Sequence, residues 1–178
     1  MPAADVRDGK MRILGIDPGL ITTGYGLIDV CQGVPSLLEG GVVRAPTKLP
    51  IEKRLATIFY GIQEILLEFK PDAVALEEVH TQYERPMVAV MMGHARGAIC
   101  LAAAVNQTPV FSYAPTHVKS ALTGNGRASK EQIRRMVQLT LSLKTCPEPL
   151  DVSDALAIAL CHVSRAGRDY EQLKEQNR

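Results

Sequence analysis

Short apolar runs and longer stretches with helical spacing alternate along this chain, and they predict its elements. Residues 13–16 form a short apolar run, and residues 24–31 and 38–45 continue the series as two further strands. The short connection at residues 32–35 favours antiparallel pairing of the second strand with the third. The first part of the chain is therefore expected to form an antiparallel meander of three strands.

The next stretch changes from the spacing of strands to the spacing of helices. Apolar residues recur every three or four positions over residues 51–70, which predicts a helix. A nearly continuous apolar run at residues 73–79 predicts a buried strand, followed by a helix over 87–105 and a strand over 110–113. Because a strand-helix-strand crossover joins parallel strands, the strand at 73–79 is expected beside the first strand and parallel to it.

Three further helices are predicted in the last part of the chain. A short helix covers residues 116–122, and Ser129 with Gln132 forms a capping box that opens a helix through about Leu143. A last helix is predicted over residues 151–165. Together the elements predict an α/β fold: a mixed five-stranded sheet, three antiparallel strands followed by two parallel ones, flanked by helices.

Composition and charge narrow the class of protein. The chain has 178 residues, 46% of them hydrophobic, which suits a single domain over residues 11–166. Residues 1–10 are expected to form a disordered extension, and residues 167–178 a flexible tail. No apolar run is expected to span a membrane and the N-terminus lacks a secretion signal, so a cytoplasmic protein is predicted. The net charge of +1 means that any basic surface must be local.

Four acidic residues stand at the ends of predicted elements. Asp17 ends the first strand before a Pro-Gly turn, where it could hold a divalent cation or simply stabilise the turn. Glu77 ends a buried apolar run, so it must be paired, protonated or bound to a metal. Asp151 and Asp154 share a face at the start of the last helix, where capping and the helix dipole also favour acids. If these acids converge, they predict a divalent-metal site.

Five segments of the chain carry a family resemblance, and they occur in this order: GIDPG followed by a Gly-Tyr-Gly strand, ALEEV, GHARGA, YAPTHVKSALTGNGRASKEQ and DVSDALAIALCH. Together they resemble the RuvC family of Holliday-junction resolvases, which belongs to the RNase H-like, or retroviral integrase, superfamily. The resemblance covers about residues 11–166. It implies an RNase H-like fold and an endonuclease that resolves four-way junctions in homologous recombination and DNA repair.

The resemblance implies roles for the acids position by position. Asp17, Glu77, Asp151 and Asp154 match the catalytic acids of the family, which hold two Mg²⁺ or Mn²⁺ ions. One ion would activate the attacking water, and the other would stabilise the leaving 3′ oxygen of an in-line displacement. The products would carry 5′-phosphate and 3′-hydroxyl ends.

Basic residues are expected to hold the DNA. Lys119 and Lys130 match functionally important lysines of the family, although Lys119 fits a solvated helix face equally well. Lys130 follows a predicted N-cap, where the helix dipole disfavours a cation, so a phosphate partner would help to explain it. Arg127, Arg134 and Arg135 extend the same basic patch and would contact phosphates without reading sequence.

One position departs from the pattern of the family. Many members carry a Phe three residues beyond the acid of the fourth strand, whereas this chain has His80. A histidine can stack on a base, but it is smaller, more polar and titratable near neutral pH. Tyr83 and Arg85 could take over part of this contact with the DNA.

The resemblance also implies partners. Paired cuts on a two-fold junction require a two-fold homodimer. The small and Met-rich residues over 87–103 could form the dimer seam, or they could pack on the sheet of their own subunit. The branch-migration proteins RuvA and RuvB are the further partners that the resemblance implies.

Two other functions fit parts of the sequence. The ATP-binding half of the actin, Hsp70 and sugar-kinase superfamily also begins with a G-I-D-x-G hairpin, but it requires a second similar domain and gives Asp151 and Asp154 no role. A catalytically inactive junction-binding module is the other alternative. The presence of all four acids argues against it.

Overall fold

The chain folds around one mixed sheet. The computed structural model of the protein describes residues 10–79 and 86–176. The strands are β1 Lys10–Asp17, β2 Thr22–Cys31, β3 Val34–Arg44, β4 Ala73–Glu77 and β5 Val110–Tyr113, in the sheet order β3-β2-β1-β4-β5. β1 and β3 are antiparallel to β2, whereas β4 is parallel to both β1 and β5. The predicted sheet is confirmed, including the placement of the fourth strand beside the first.

Helices cover both faces of this sheet. Their bounds are α1 Ile51–Phe69, α2 Pro86–Val105, α3 Pro115–Thr123, α4 Lys130–Thr140 and α5 Leu150–Gln176. Helices α1 and α2 pack on one face, where Ile58 and Ile99 are fully buried. Helices α3, α4 and α5 pack on the other face, where Val137 and Leu156 are fully buried. Each face of the sheet therefore has its own hydrophobic core.

The predicted N-terminus of α4 is confirmed, but its end is not. The Ser129 hydroxyl accepts a hydrogen bond from the Gln132 N–H (3.2 Å), and the Gln132 side-chain oxygen accepts one from the Ser129 N–H (2.8 Å). The helix ends at Thr140 rather than near Leu143. The chain leaves the helix because Ser142 adopts a left-handed φ of 52°.

Helix α5 is longer than predicted. It continues past Arg165 to Gln176, so residues 167–176, which the sequence analysis assigns to a flexible tail, are helical. Glu, Gln, Leu and Lys dominate its last turns and are strong helix formers, and the single Gly167 costs only about 1 kcal/mol. At the other end of the chain, Lys10 belongs to β1 rather than to the predicted extension, because it pairs with β2.

Helix α2 is apolar on more than one side. By length and composition the segment Met87–Val105, with a hydropathy of 1.6, could cross a membrane, contrary to the expectation from the sequence. Only 22% of this segment is buried, on the side of Ala95 and Ile99 that packs in the core. A helix in the core of a globular protein can have the same length and composition. Its other side exposes apolar side chains such as Met87 and Leu101, which leaves a surface for further contacts.

Candidate active site

Two of the predicted acids end adjacent parallel strands. Ile16 of β1 lies opposite Leu76 of β4, so Asp17 and Glu77 are the next residues on neighbouring strands. The two side chains interact, since a hydrogen bond with Glu77 is among the causes that raise the pKa of Asp17. The parallel pairing thus brings together two carboxyl groups that are far apart in the sequence.

Glycines allow the last helix to lie very close to β1 and β2. A Cβ at Gly24 would stand 2.2 Å from the carbonyl oxygen of Asp151, and a Cβ at Gly15 would stand 2.0 Å from another carbonyl oxygen of α5. Cβ atoms essentially never approach other atoms within 3.0 Å, so only glycine fits at these positions. Because Gly24 pairs with Asp17 across β1 and β2, this contact brings Asp151 and Asp154 toward Asp17.

A methyl group at position 24 is therefore expected to disrupt the site. In Gly24→Ala the new Cβ meets backbone atoms, so the first turn of α5 must move away from β2. We expect an affinity for Mn²⁺ that is lower by about 10-fold or more, measured by electron paramagnetic resonance, and a lower Tm. Gly97→Ala is the control for the Mn²⁺ affinity, since its Cβ meets nothing within 4 Å. Unchanged Mn²⁺ affinity in Gly24→Ala would contradict this account of the packing.

The carboxyl group of Asp17 interacts with the other three predicted acids. The pKa of Asp17 is raised from 3.8 to about 8, first by burial and then by the charges of Glu77 and Asp154, a hydrogen bond with Glu77 and the charge of Asp151. Carboxylates that repel one another at the end of a sheet are a suitable ligand set for a hard divalent cation, because the cation neutralises them.

Lys130 belongs to the same cluster. Its Nζ lies 3.2 Å from Oδ2 of Asp154, and the charges of Asp154, Asp17 and Glu77 raise its pKa. Among the residues that the structure describes, no three acidic, histidine or cysteine side chains are arranged to hold one metal ion. In the metal-free protein the carboxylate of Asp154 is instead paired with Lys130. We therefore expect metal binding to require that Asp154 exchanges its contact with Lys130 for one with the cation.

The predicted arginine contacts differ in their surroundings. Arg127 and Arg135 are exposed, as phosphate contacts must be. Arg134 is instead largely buried, and its guanidinium lies 3.6 Å from Glu131 and 3.5 Å from Glu148. The pair with Glu148 connects α4 to the segment before α5, and the pair with Glu131 lies within α4, so both have a structural role. A contact between Arg134 and phosphate stays a prediction.

The remaining predicted site residues lie in α3 and in the connection after β4. Lys119 is half-buried in α3, and its carbonyl oxygen accepts a hydrogen bond from the Thr123 hydroxyl (2.8 Å). His80, Tyr83 and Arg85 lie outside the described residues, so their contacts with DNA stay predictions.

A buried polar contact that the sequence does not predict holds α5 to β5. Tyr113 pairs with Glu77 across β4 and β5, and its hydroxyl lies 2.6 Å from Nδ1 of His162. The His162 ring also packs on Phe111, with ring centroids 4.6 Å apart. Because His162 belongs to α5, this contact connects the helix that carries Asp151 to the strand beside Glu77. A lone Tyr and a lone His in apolar segments give no sequence signal of such a contact.

Comparisons with known proteins agree with this geometry. The family model described as "Crossover junction endodeoxyribonuclease RuvC" matches residues 13–162. Two similar proteins carry the same name: one from Rhodopirellula baltica, 48% identical over 84% of each chain, and one from Moorella thermoacetica, 46% identical over 88% of this chain and 93% of that protein.

Solved structures show the same fold. RuvC of Thermus thermophilus superposes with a TM-score of 0.84 at 39% identity, covering 89% of this chain and 97% of that one. The same protein in complex with a Holliday-junction substrate gives a TM-score of 0.82, covering 88% of this chain and 94% of that one. The yeast mitochondrial Holliday-junction resolvase Ydc2, 13% identical, shares the fold with a TM-score of 0.63, covering 94% of this chain and 85% of that one.

Proposed function

Because the chain belongs to the RuvC family of crossover junction endodeoxyribonucleases, we propose that it resolves four-way Holliday junctions by paired symmetric nicks during recombination and repair. The observation that carries the proposal is the placement of four acids at one end of the sheet, where burial and then the charges of Glu77, Asp154 and Asp151 raise the pKa of Asp17 to about 8. A scaffold for binding alone would have no reason to keep these mutually repelling carboxyl groups together. The complex of the Thermus thermophilus protein with a junction supports the substrate.

The four acids would hold two Mg²⁺ or Mn²⁺ ions. Asp17 and Glu77 are fixed by paired strands, whereas Asp151 and Asp154 lie on the first turns of α5. Ligands on strands and a helix set the geometry of the site more accurately than ligands on loops. When bound, the ions supply a deprotonated water and a charge that stabilises the leaving 3′ oxygen, which gives 5′-phosphate and 3′-hydroxyl ends.

Lys130 changes partner in this proposal. In the protein alone its ammonium group contacts Asp154, and it compensates part of the charge of the acids. Once cations neutralise the acids, the ammonium group can bind a phosphate of the DNA instead. Lys119, Arg127 and Arg135 would bind neighbouring phosphates and hold the junction in place without reading its sequence.

The lysine contacts predict a change in salt dependence. A protein that loses one phosphate contact releases one fewer counterion, so Lys119→Ala and Lys130→Ala should each lower junction affinity and make the slope of log K against log[salt] shallower by about 0.9. Fluorescence anisotropy measures this for Lys119→Ala in EDTA, and for Lys130→Ala with Ca²⁺ in place of Mg²⁺, so that a cation can release Lys130 from Asp154. Lys53→Ala, an exposed lysine on the opposite face of the sheet, is the matched control. Unchanged slopes in both variants would rule out these phosphate contacts.

Further partners belong to the same proposal. The exposed apolar side of α2, with Met87, Val90 and Leu101, would form the seam of a homodimer. Two identical sites related by a two-fold axis would then cut the two strands of like polarity in the junction. We also propose a cytoplasmic location and work together with RuvA and RuvB.

Cleavage of a synthetic four-way junction tests the proposed function. We expect symmetric nicks that depend on Mg²⁺ or Mn²⁺ and that DNA ligase can seal. Tight binding without any metal-dependent nick would favour the alternative of an inactive junction-binding module. Nucleotide hydrolysis without junction binding would favour the ATP-binding alternative.

A further inference from the structure

Arg96, on α2, connects the ends of β4 and β5. Its Nε donates a hydrogen bond to the carbonyl oxygen of Glu77 (3.1 Å), and its Nη2 donates one to the hydroxyl of Ser112. Ser112 itself pairs with Leu76 of β4. A single guanidinium thus contacts both strands at the level of the acid that ends β4.

The contact with Arg96 lies at the end of β4, where its pairing with β1 has ended. Glu77 is the last residue of β4, and the pairing of β4 with β1 ends one residue earlier, at Leu76. Beyond this point the N–H of Glu78 still bonds to the Tyr113 carbonyl oxygen (2.9 Å). The carbonyl oxygen of Glu77 is bonded by Arg96. The peptide group between Glu77 and Glu78 is therefore held on both sides, by β5 at its N–H and by Arg96 at its carbonyl oxygen.

Arg96 is itself held firmly. The residue before it, Ala95, and Ile99 one turn later are both fully buried in the core between α2 and the sheet. The backbone of Arg96 therefore has little freedom to shift, and its planar fork can bond two acceptors at fixed angles. A lysine at this position would keep the charge but would have no rigid fork to span both acceptors.

We infer that Arg96 is a positioning residue for Glu77: it holds the end of β4 so that the Glu77 carboxylate faces Asp17 and the start of α5. This inference rests on the proposed function, since it concerns the metal affinity of the same acids. Arg96 acts through the main chain of Glu77 and takes no part in the reaction. Its loss should loosen one ligand of the site and leave the fold and the phosphate contacts in place.

Metal binding tests this inference without any need for cleavage. In Arg96→Lys we expect the affinity for Mn²⁺, measured by electron paramagnetic resonance, to fall by about 10-fold or more, the usual cost of losing a group that orients a metal ligand. Ser112→Ala removes only one of the two acceptors, so a smaller loss is expected. Junction affinity in EDTA should stay within about twofold of the wild type. Arg44→Lys, at an exposed position at the end of β3, is the matched control.

The possible outcomes distinguish a failure of the Arg96 role from a failure of the proposed nuclease function. Wild-type Mn²⁺ affinity in both Arg96→Lys and Ser112→Ala would overturn the role of Arg96. A loss of junction affinity in EDTA with unchanged Mn²⁺ affinity would also overturn it, since Arg96 would then be a DNA contact. If the wild-type protein itself bound no Mn²⁺, the proposed function would fail instead. If Arg96→Lys failed to fold, Ser112→Ala would decide.

Discussion

Glu77→Gln and Asp154→Asn are each expected to abolish strand cutting while junction affinity survives. Both variants keep the shape of the side chain and remove its charge, so a cation loses a ligand from the cluster that interacts with Asp17. We expect the single-turnover rate of cutting to fall by about 10³-fold or more, which corresponds to about 4 kcal/mol of transition-state stabilisation.

Junction affinity should survive because the proposed phosphate contacts are different residues. Lys119, Arg127 and Arg135 lie on α3, on α4 or between these helices, away from the carboxylates that change. Glu78→Gln is the matched control: Glu78 is the next acid along the chain and is exposed, so its charge should matter little. Cutting at the wild-type rate in either Glu77→Gln or Asp154→Asn would refute the assignment of the site.

Asp17→Asn is expected to stabilise the metal-free protein while it abolishes activity. Burial and the neighbouring carboxylates raise the pKa of Asp17 from 3.8 to about 8. The folded state therefore binds this proton more tightly than the unfolded state, and the free energy of unfolding falls as the pH rises from about 4 to 8. Removing the titration should stabilise the protein at pH 8 and raise its Tm by about 5 °C or more.

Thermal unfolding in EDTA at several pH values measures this effect. The gain from Asp17→Asn should be largest at pH 8 and should shrink as the pH falls toward 4. Asp29→Asn is a control for which the opposite change in Tm is expected, because hydrogen bonds from Arg12 lower the pKa of Asp29. Its carboxylate stabilises the fold above pH 3.8, so its loss should lower Tm at neutral pH. A Tm of Asp17→Asn below that of the wild type at pH 8 would contradict the proposed electrostatics.

The sequence predicts well the relative position of the two acids on the sheet, Asp17 and Glu77. The crossover rule places β4 beside β1 in parallel, and the register then puts Asp17 next to Glu77. The capping box at Ser129 fixes the start of α4, and with it the position of Lys130. These features depend on local patterns, which a single sequence contains.

The positions of Asp151 and Asp154, on α5, depend on contacts that have no local sequence pattern. The approach of Asp151 to β2 requires that Gly24 has no side chain, and nothing near Gly24 in the sequence indicates a helix more than a hundred residues away. The ion pair between Lys130 and Asp154 joins two helices in the same way. In the sequence, Arg96 is only one polar residue on an apolar helix. Its contact with the carbonyl oxygen of Glu77 is known only from the structure. Such contacts follow from the tertiary fold.

Anomalous diffraction from crystals of the wild-type protein with Mn²⁺ tests the central claim most directly. The account predicts two Mn²⁺ ions at the shared end of β1, β4 and α5, with oxygens of Asp17, Glu77, Asp151 and Asp154 at about 2.0 to 2.6 Å and with Lys130 turned away from Asp154. Mn²⁺ bound only elsewhere on the protein, or Asp154 still paired with Lys130 at saturating Mn²⁺, would contradict it.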